Sequence, residues 1–222
     1  MKLNTNSNIY TFVYMTVVVI IVAVLLALAN QSLKPRQEAN ILLDKQKQIL
    51  GALKVDYTNA DPAEVYYTLV HDTLTYGEQE VYVANLNGAT KYILPLSGKG
   101  LWGGIGGYLA LDEDKNTIYG VNFNHESETP GLGAKIVEPE FRSQFEGKHI
   151  RNAANEVVSV AVLKAGKHAE GQEQVDAISG ATITSSGVST MLEVNLGEYA
   201  EFLKCENEKM SKCENKEEEA EL

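Results

Sequence analysis

Cysteine is scarce in this chain of 222 residues, which has two, Cys205 and Cys213. Both lie in an acidic terminal run, so neither is expected to staple a core, and the pair does not fit a metal-site spacing. A disulfide within that run requires an oxidising compartment. Positive charge is also in deficit: 19 Lys and Arg stand against 30 Asp and Glu, for a formal net charge of -11. Phosphate contacts need clustered cations, and no basic run appears, so nucleic acid is excluded as a partner. His71, His125, His149 and His168 are scattered without ligand spacing, and no metal is expected. No internal repeat is visible. The length therefore leaves room for one compact domain with accessory segments.

What the chain does have is one long apolar run. Residues 12–29 read FVYMTVVVIIVAVLLALA without a charge, enough to cross about 30 Å of hydrocarbon as a helix. The competing reading is a cleaved signal sequence, with Ala27, Leu28 and Ala29 resembling a cleavage site. The run exceeds the roughly 7 to 15 residues of a signal core, which favours a membrane anchor. Lys2 flanks one side, and Lys34, Arg36, Lys45 and Lys47 the other. By the positive-inside rule that balance slightly favours a cytoplasmic domain.

Past the anchor, Ile41, Leu42, Ile49, Leu50 and Leu53 recur at helical spacing, which predicts an amphipathic helix over residues 36–55, ended by Asp61-Pro62. Short β-type runs follow at residues 80–84, 91–94, 108–111, 117–123 and 157–163. Between two of them the sequence DEDKN, residues 112–116, reads as a hairpin loop. Pro139 opens a predicted helix over residues 138–145. Val188, Met191, Leu192, Leu196, Tyr199, Phe202 and Leu203 mark one buried face of a last helix. Beyond Cys205 there is too little apolar surface to offset ordering entropy, and disorder is expected. The plan is a short N-terminal segment (1–11), a transmembrane helix (12–30), a helical connector (31–60), one α+β domain of mixed sheet and helices (61–204), with the helices on one side of the sheet, and an acidic tail (205–222).

Chemistry is concentrated in residues 176–184, DAISGATIT, a run of small and hydroxylated residues expected just before the last helix. First-turn amides lack intrahelical acceptors and carry partial positive charge. Gly180 and Ala181 let backbone approach an anion, and Ser179, Thr182, Thr184, Ser185 and Ser186 add hydroxyls, so a phosphate would be stabilised there. An ordinary helix cap explains the same residues. A second segment, ETPGLG at residues 128–133, reads as a tight turn with Pro130 fixing one angle and Gly131 and Gly133 permitting others. GKGLWG at residues 98–103 satisfies G-x-G-x-x-G, but no βαβ unit surrounds it and the acidic residues Asp112 to Asp114 come too early for a ribose contact, which excludes a dinucleotide fingerprint.

Asp176, Ser179, Gly180, Ala181, Thr182 and Thr184 match the Asp-x-x-Ser/Thr-Gly-Ala-Thr-x-Thr signature of proteins flavinylated by a dedicated FMN transferase. With ETPGLG, the Gly-Leu-Trp at residues 100–102 and YLAL at residues 108–111, the chain resembles the C-type subunit of the sodium-translocating NADH:quinone oxidoreductase. The resemblance runs from the anchor to the last helix and implies a one-domain electron carrier of a six-subunit complex that passes electrons from NADH to quinone and exports sodium. It implies FMN held covalently as a phosphate ester on Thr184, presented in solvent, with Asp176 and the rest of the signature as the transferase's recognition turn. Chemistry alone does not separate Thr184 from Thr182. Trp102, Glu128, Thr129, Gly131, Leu132 and Lys164 become flavin contacts by the same resemblance, as do Ser179, Gly180, Ala181, Thr182 and Ser185. No side chain is needed as a catalytic acid or base in electron transfer. The resemblance also implies the bacterial inner membrane, with the flavin domain on the periplasmic side. That opposes the charge argument, which is weakened by Glu38 and Asp44 among the flanking cations. The G-type subunit of the ferredoxin:NAD oxidoreductase shares the flavinylation turn and ETPGLG; GLW and YLAL argue against it. A membrane-anchored scaffold without redox role is the alternative from another class.

Overall fold

The computed structural model describes residues 8–77, 79–152, 154–164 and 166–205. It divides into two compact units, Met1–Lys45 and Gln46–Leu222. In the first unit the apolar run is part of helix α1, Asn8–Ala52, whose apolar side chains are exposed from Ile9 to Leu33. It is long and apolar enough to cross a membrane. Leaving that many large apolar groups in water would be unfavourable by about 25 cal/mol for every Å², which is the physical case for a lipid surround. The helix continues through Pro35 to Ala52, so anchor and predicted connector are one element and Asp61-Pro62 does not terminate it. Asp61 instead caps a further short helix, α2 (Pro62–Leu69), by accepting the Ala63 amide at 3.0 Å.

The second unit is built on an antiparallel meander of five strands: β1 (Val70–Tyr76), β2 (Gln79–Leu86), β3 (Ala89–Lys99), β4 (Gly104–Leu111) and β5 (Ile118–His125), hydrogen-bonded in that order. Asn87 and Gly88, both at positive φ, make the two-residue turn from β2 to β3, the pairing a right-twisted hairpin prefers. DEDKN forms the connection from β4 to β5, as expected; Asp114 accepts the Asn116 and Thr117 amides. After β5 come a 3-10 turn (Gly133–Val137), helix α3 (Pro139–Arg142), a second 3-10 turn (Ser143–Phe145), a two-residue parallel pair of β6 (Ala161–Val162) with β7 (Gln174–Val175), and helices α4 (Thr182–Glu198) and α5 (Ala200–Lys204). The apolar run at residues 157–163 thus yields only a two-residue strand.

Alternation along the strands feeds two cores. Val81, Val83, Tyr92, Leu94, Leu96, Ile105, Leu109 and Leu111 pack beneath α4 and α5 with Val188, Met191, Leu192, Leu196, Tyr199, Phe202 and Leu203. Tyr82, Ala84, Ile93 and Ala110 point the other way, onto Ile49, Ala52 and Leu53 at the end of α1 and the partly buried Tyr66 of α2. Helices therefore cover both faces of the sheet, not one. The reason lies in the strands: a half-buried sheet alternates apolar with polar, whereas β2 to β4 are apolar on both sides.

In the larger core, Cβ atoms at Gly98 and Gly187 would stand 2.7 Å from the Met191 Cβ and 2.5 Å from the Lys99 carbonyl. The absence of side chains there lets α4 lie directly on β3. At the far end, Lys115 is 3 % exposed and donates to the carbonyls of Cys205 at 2.8 Å and Phe202 at 3.4 Å, its ammonium 4.4 Å from the centre of the Phe202 ring. Arg151 donates to the Leu203 carbonyl. Two cations thus satisfy the last carbonyls of α5. Cys205, which follows α5, is disulfide-bonded. Cys213 and the expected disordered tail lie outside the described residues.

Candidate functional site

The two motifs, 56 residues apart in sequence, meet in one hydrogen bond: the Thr184 hydroxyl donates to Glu128 Oε2 at 2.6 Å. Each motif is shaped for the meeting by its own local chemistry. In ETPGLG the Leu132 amide returns to the Thr129 carbonyl at 3.1 Å, and Gly131 adopts φ +76°. Pro then Gly at the two central positions with positive φ on the second is a type II turn. Gly133 is needed for a different reason. A Cβ there would overlap the Glu128 carboxylate and stand 2.6 Å from Thr184 Oγ1.

On the other side, Gly180 at φ +77° carries the chain into α4. The helix begins at Thr182 rather than after Thr184, which makes Thr184 its third residue. Ala181, at the cap position, provides no side-chain acceptor, so the first-turn amides are not covered by a capping side chain. The expectation that Thr184 is presented in solvent is overturned: the residue is 1 % exposed, while Thr182 and Ile183 on the same turn are exposed. Starting the helix earlier rotates Thr184 inward, onto the same face as Val188.

Glu128 is 4 % exposed. Burial pushes its carboxyl pKa up, but the Thr184 hydroxyl and the Trp102 and Leu101 amides hydrogen-bonded to it outweigh burial and hold it below the ordinary value. The carboxylate is therefore ionised at neutral pH. The 2.6 Å separation to Thr184 lies in the range of hydroxyl bonds to a charged acceptor, about 2.5–2.7 Å. The Trp102 amide donates to Oε1 at 3.0 Å, so the two carboxylate oxygens face different partners.

Glu128 and Thr184 open onto a cavity of about 230 Å³ whose walls also include Thr129, Leu132, Gly180 and Thr182. Thr182 and Ile183 also line a second, apolar groove of about 610 Å³ along α4, whose walls include Gly98 and Gly187. The smaller cavity falls short of the roughly 300–1,000 Å³ typical of small-molecule sites, and the groove lies within that range. Of the residues named from sequence, Glu128, Thr129, Leu132, Gly180, Ala181, Thr182 and Thr184 are brought together here.

The others stand apart in different ways. Trp102 contributes its amide, and the residue as a whole is 67 % exposed. Gly131 and Ser179 are exposed beside the cavity without lining it. Ser185 is buried and its Oγ accepts the Ile178 amide at 3.2 Å, a brace of the turn rather than a free donor to a phosphate. Lys164 is an exposed residue just after β6 and is not among the cavity's walls, so it does not join the site. Asp176 faces away: its carboxylate accepts the Ala169 amide at 2.6 Å and pairs with His168 at 3.3 Å, and these bonds, the Ala169 amide first, hold its pKa below the ordinary value. Its own amide donates to Gln144 Oε1 at 2.8 Å. Sequence reasoning missed Leu101, Gly133 and Ile183 as cavity walls. Gly133 and Ile183 lie inside the two motifs, and Ile183, 58 % exposed on a helix start, carried the signal of an apolar residue without a core to enter. Among the described residues no cluster of metal-ligating side chains is present.

A sheet covered by helices and preceded in the chain by one long apolar helix, with two motifs closing around a buried hydroxyl, defines a cofactor-domain class, and residues 100–196 match the model of the FMN-binding domain family. The crystal structure of the C-type subunit of the Na(+)-translocating NADH-quinone reductase from Parabacteroides distasonis is 41 % identical, covers 79 % of this chain and 98 % of that one, and superposes with a TM-score of 0.73. The same subunit of the Haemophilus ducreyi reductase is 28 % identical over 239 residues, 88 % of this chain and 92 % of that protein. The crystal structure of Shewanella oneidensis NqrC, 22 % identical with a TM-score of 0.59, covers 72 % of this chain and 95 % of its own and shows the same fold. The chain belongs to the NqrC family, the C-type subunits of the Na(+)-translocating NADH-quinone reductase.

Proposed function

We propose that this chain is the FMN-carrying electron-transfer subunit of a membrane NADH:quinone reductase that exports sodium, with FMN esterified through its phosphate to Thr184. The observation that carries the reading is the convergence of the flavinylation turn and ETPGLG on a single hydroxyl that lines a cavity. The residues present fit the group: α4 offers an N-terminal turn without a capping side chain beside the esterified position, the electrostatics a phosphate prefers. Apart from the Glu128 carboxylate and the threonine hydroxyls, the cavity walls are apolar or small, which suits a flat ring system. Bound there, FMN supplies the redox chemistry, accepting and releasing electrons.

The protein's own residues bind and orient. Thr184 would tether the group, the first turn of α4 would offer its amides to the phosphate, and Leu132, Thr129 and Trp102 would contact the flavin. Glu128, Gly131, Ser179, Gly180, Ala181 and Thr182 complete the proposed surroundings. A covalent tether keeps the cofactor on the side of the membrane where no cytoplasmic pool replaces it, which accords with a periplasmic flavin domain on a single-pass anchor in a bacterial inner membrane. The proposed partners are the five other subunits, and an FMN transferase for maturation that reads Asp176 and the turn up to Thr184.

The test uses full-length protein from its native membrane. Intact mass is expected to exceed the sequence mass by FMN less one water, and the denatured band to fluoresce under ultraviolet light. Thr184→Ala abolishes the fluorescence and Thr182→Ala retains it. Unmodified mass, or a fluorescent Thr184→Ala band, sinks the reading.

A further inference from the structure

The proposed ester at Thr184 leaves open how a buried threonine hydroxyl becomes a nucleophile. An alkyl hydroxyl is a weak nucleophile until a base takes its proton as the new bond forms. The cavity holds three hydroxyls, those of Thr129, Thr182 and Thr184. Among the described residues lining it, Glu128 is the only ionisable one. Its Oε2 lies 2.6 Å from Thr184 Oγ1, within the reach a general base requires. The carboxylate is also held from behind. Trp102 donates its amide to Oε1, and Cβ atoms at Gly100 or Gly133 would collide with the carboxylate, so it fits a slot that only glycine leaves open.

We propose that Glu128 is the proton acceptor for the attachment of FMN and selects Thr184 over Thr182; this rests on the ester reading above. Forming a phosphate ester from a hydroxyl requires an activated phosphate, so the co-reactant is a flavin pyrophosphate nucleotide delivered by the transferase. Thr184 Oγ bonds to the phosphorus that carries the flavin, while its hydrogen passes to Glu128 Oε2. The bond from that phosphorus to the bridging pyrophosphate oxygen breaks, and the nucleoside monophosphate departs with the electron pair. No atom changes oxidation state. Glu128 is left as a neutral acid beside the new phosphate anion, which removes the repulsion two adjacent anions would otherwise meet, and it later returns the proton to solvent.

The plain alternative is that the Glu128–Thr184 bond only braces the loop against α4. The two roles separate in a labelling assay with the full-length chain in detergent, a purified FMN transferase and flavin adenine dinucleotide, reading covalent fluorescence and mass against time. Glu128→Gln, which keeps an acceptor for the Trp102 amide but cannot take a proton, is expected to slow labelling about 100-fold. Glu128→Ala is expected to be slow and to regain rate when formate is added, because formate restores a carboxylate and cannot restore a brace. Thermal unfolding is followed for each variant. Should the Gln and Ala chains lose their transition, Glu128→Asp, with its carboxylate one methylene short, is expected to fold and to label at least tenfold slower. Wild-type rate in Gln or in Asp, or an Ala variant that folds but ignores formate, overturns the proposal while leaving attachment at Thr184 intact. A wild-type chain that never labels, or labels elsewhere, defeats the ester reading itself.

Discussion

Glu128 and Lys115 are both buried in the domain, 4 % and 3 % exposed, and their charges are treated in opposite ways. Glu128 is surrounded by donors from three places, the Thr184 hydroxyl and the Leu101 and Trp102 amides, and these keep it ionised. Lys115 finds two carbonyls and two aromatic faces, those of Tyr92 and Phe202. Burial first, then the neighbouring Arg151 guanidinium, push its pKa down to about 8. One charge accepts a hydrogen bond from a buried threonine hydroxyl beside a cavity; the other ties down the end of α5. A buried charge is thus no sign of a site by itself. Both residues line cavities, so the informative difference is what each charge bonds to: a threonine hydroxyl, or backbone carbonyls at the end of a helix.

Substitutions can break this contrast at either end. The largest effect is expected from Phe202→Ala, which removes a fully buried ring that touches Tyr76 and Tyr92 and underlies Lys115. A loss of about 3–5 kcal/mol is expected in denaturant unfolding, with covalent labelling unchanged below the melting temperature. Gly133→Ala acts at the other charge. Its methyl enters the space between Glu128 and Thr184, so labelling is expected to fall at least tenfold while stability drops by about 1–3 kcal/mol, the ordinary range for overpacking.

The smallest effects, on the pH dependence of stability, sharpen the contrast by sign. Glu128 has a depressed folded pKa, so it contributes stability that is present above the ordinary value of 4.5 and lost as pH falls through the folded one. Lys115 is depressed as well, but as a base: between about 8 and 10.5 the unfolded chain holds a proton the folded chain has released, so stability rises with pH across that window. Below about 8 both states are protonated and the burial penalty stands in full. Glu128→Gln is expected to flatten the acid limb alone, and Lys115→Met the alkaline limb alone, in melts taken across pH. A Lys115→Met chain with an unchanged alkaline rise would contradict the role given to that ammonium.

Periodicity makes much of this fold readable in the sequence. The apolar face from Val188 to Leu203 is buried, and the DEDKN turn joins two neighbouring strands. Strands β2 to β5 fall on the expected runs because their partners are adjacent in sequence, so local pattern and pairing agree. The misses have two causes: weak apolar patterning in one strand, and dependence on partners farther along the chain elsewhere. Strand β1, VHDTLTY, has the burial of an edge and too few apolar residues to announce itself. The run at residues 157–163 has apolar side chains enough, yet pairs only through Ala161 and Val162 with the short β7. At the site, SGATIT and ETPGLG are each legible as motifs, but the bond from Thr184 to Glu128 links residues far apart in the domain's sequence. No local signal announces that the hydroxyl turns inward, because the start of α4 two residues earlier decides it.

The two glycines that seat α4 on β3 bear on how such a carrier works. With a backbone carbonyl and a methionine side chain where two methyl groups would otherwise stand, the helix has no cushion over which to slide. The redox group proposed for its third residue would sit on a support clamped to the middle of a sheet, more rigid than a loop. Gain or loss of an electron would then require little rearrangement of the surrounding polypeptide. In the language of electron-transfer rates that is a small reorganisation energy, and close helix-to-strand seating is a structural means of keeping it small.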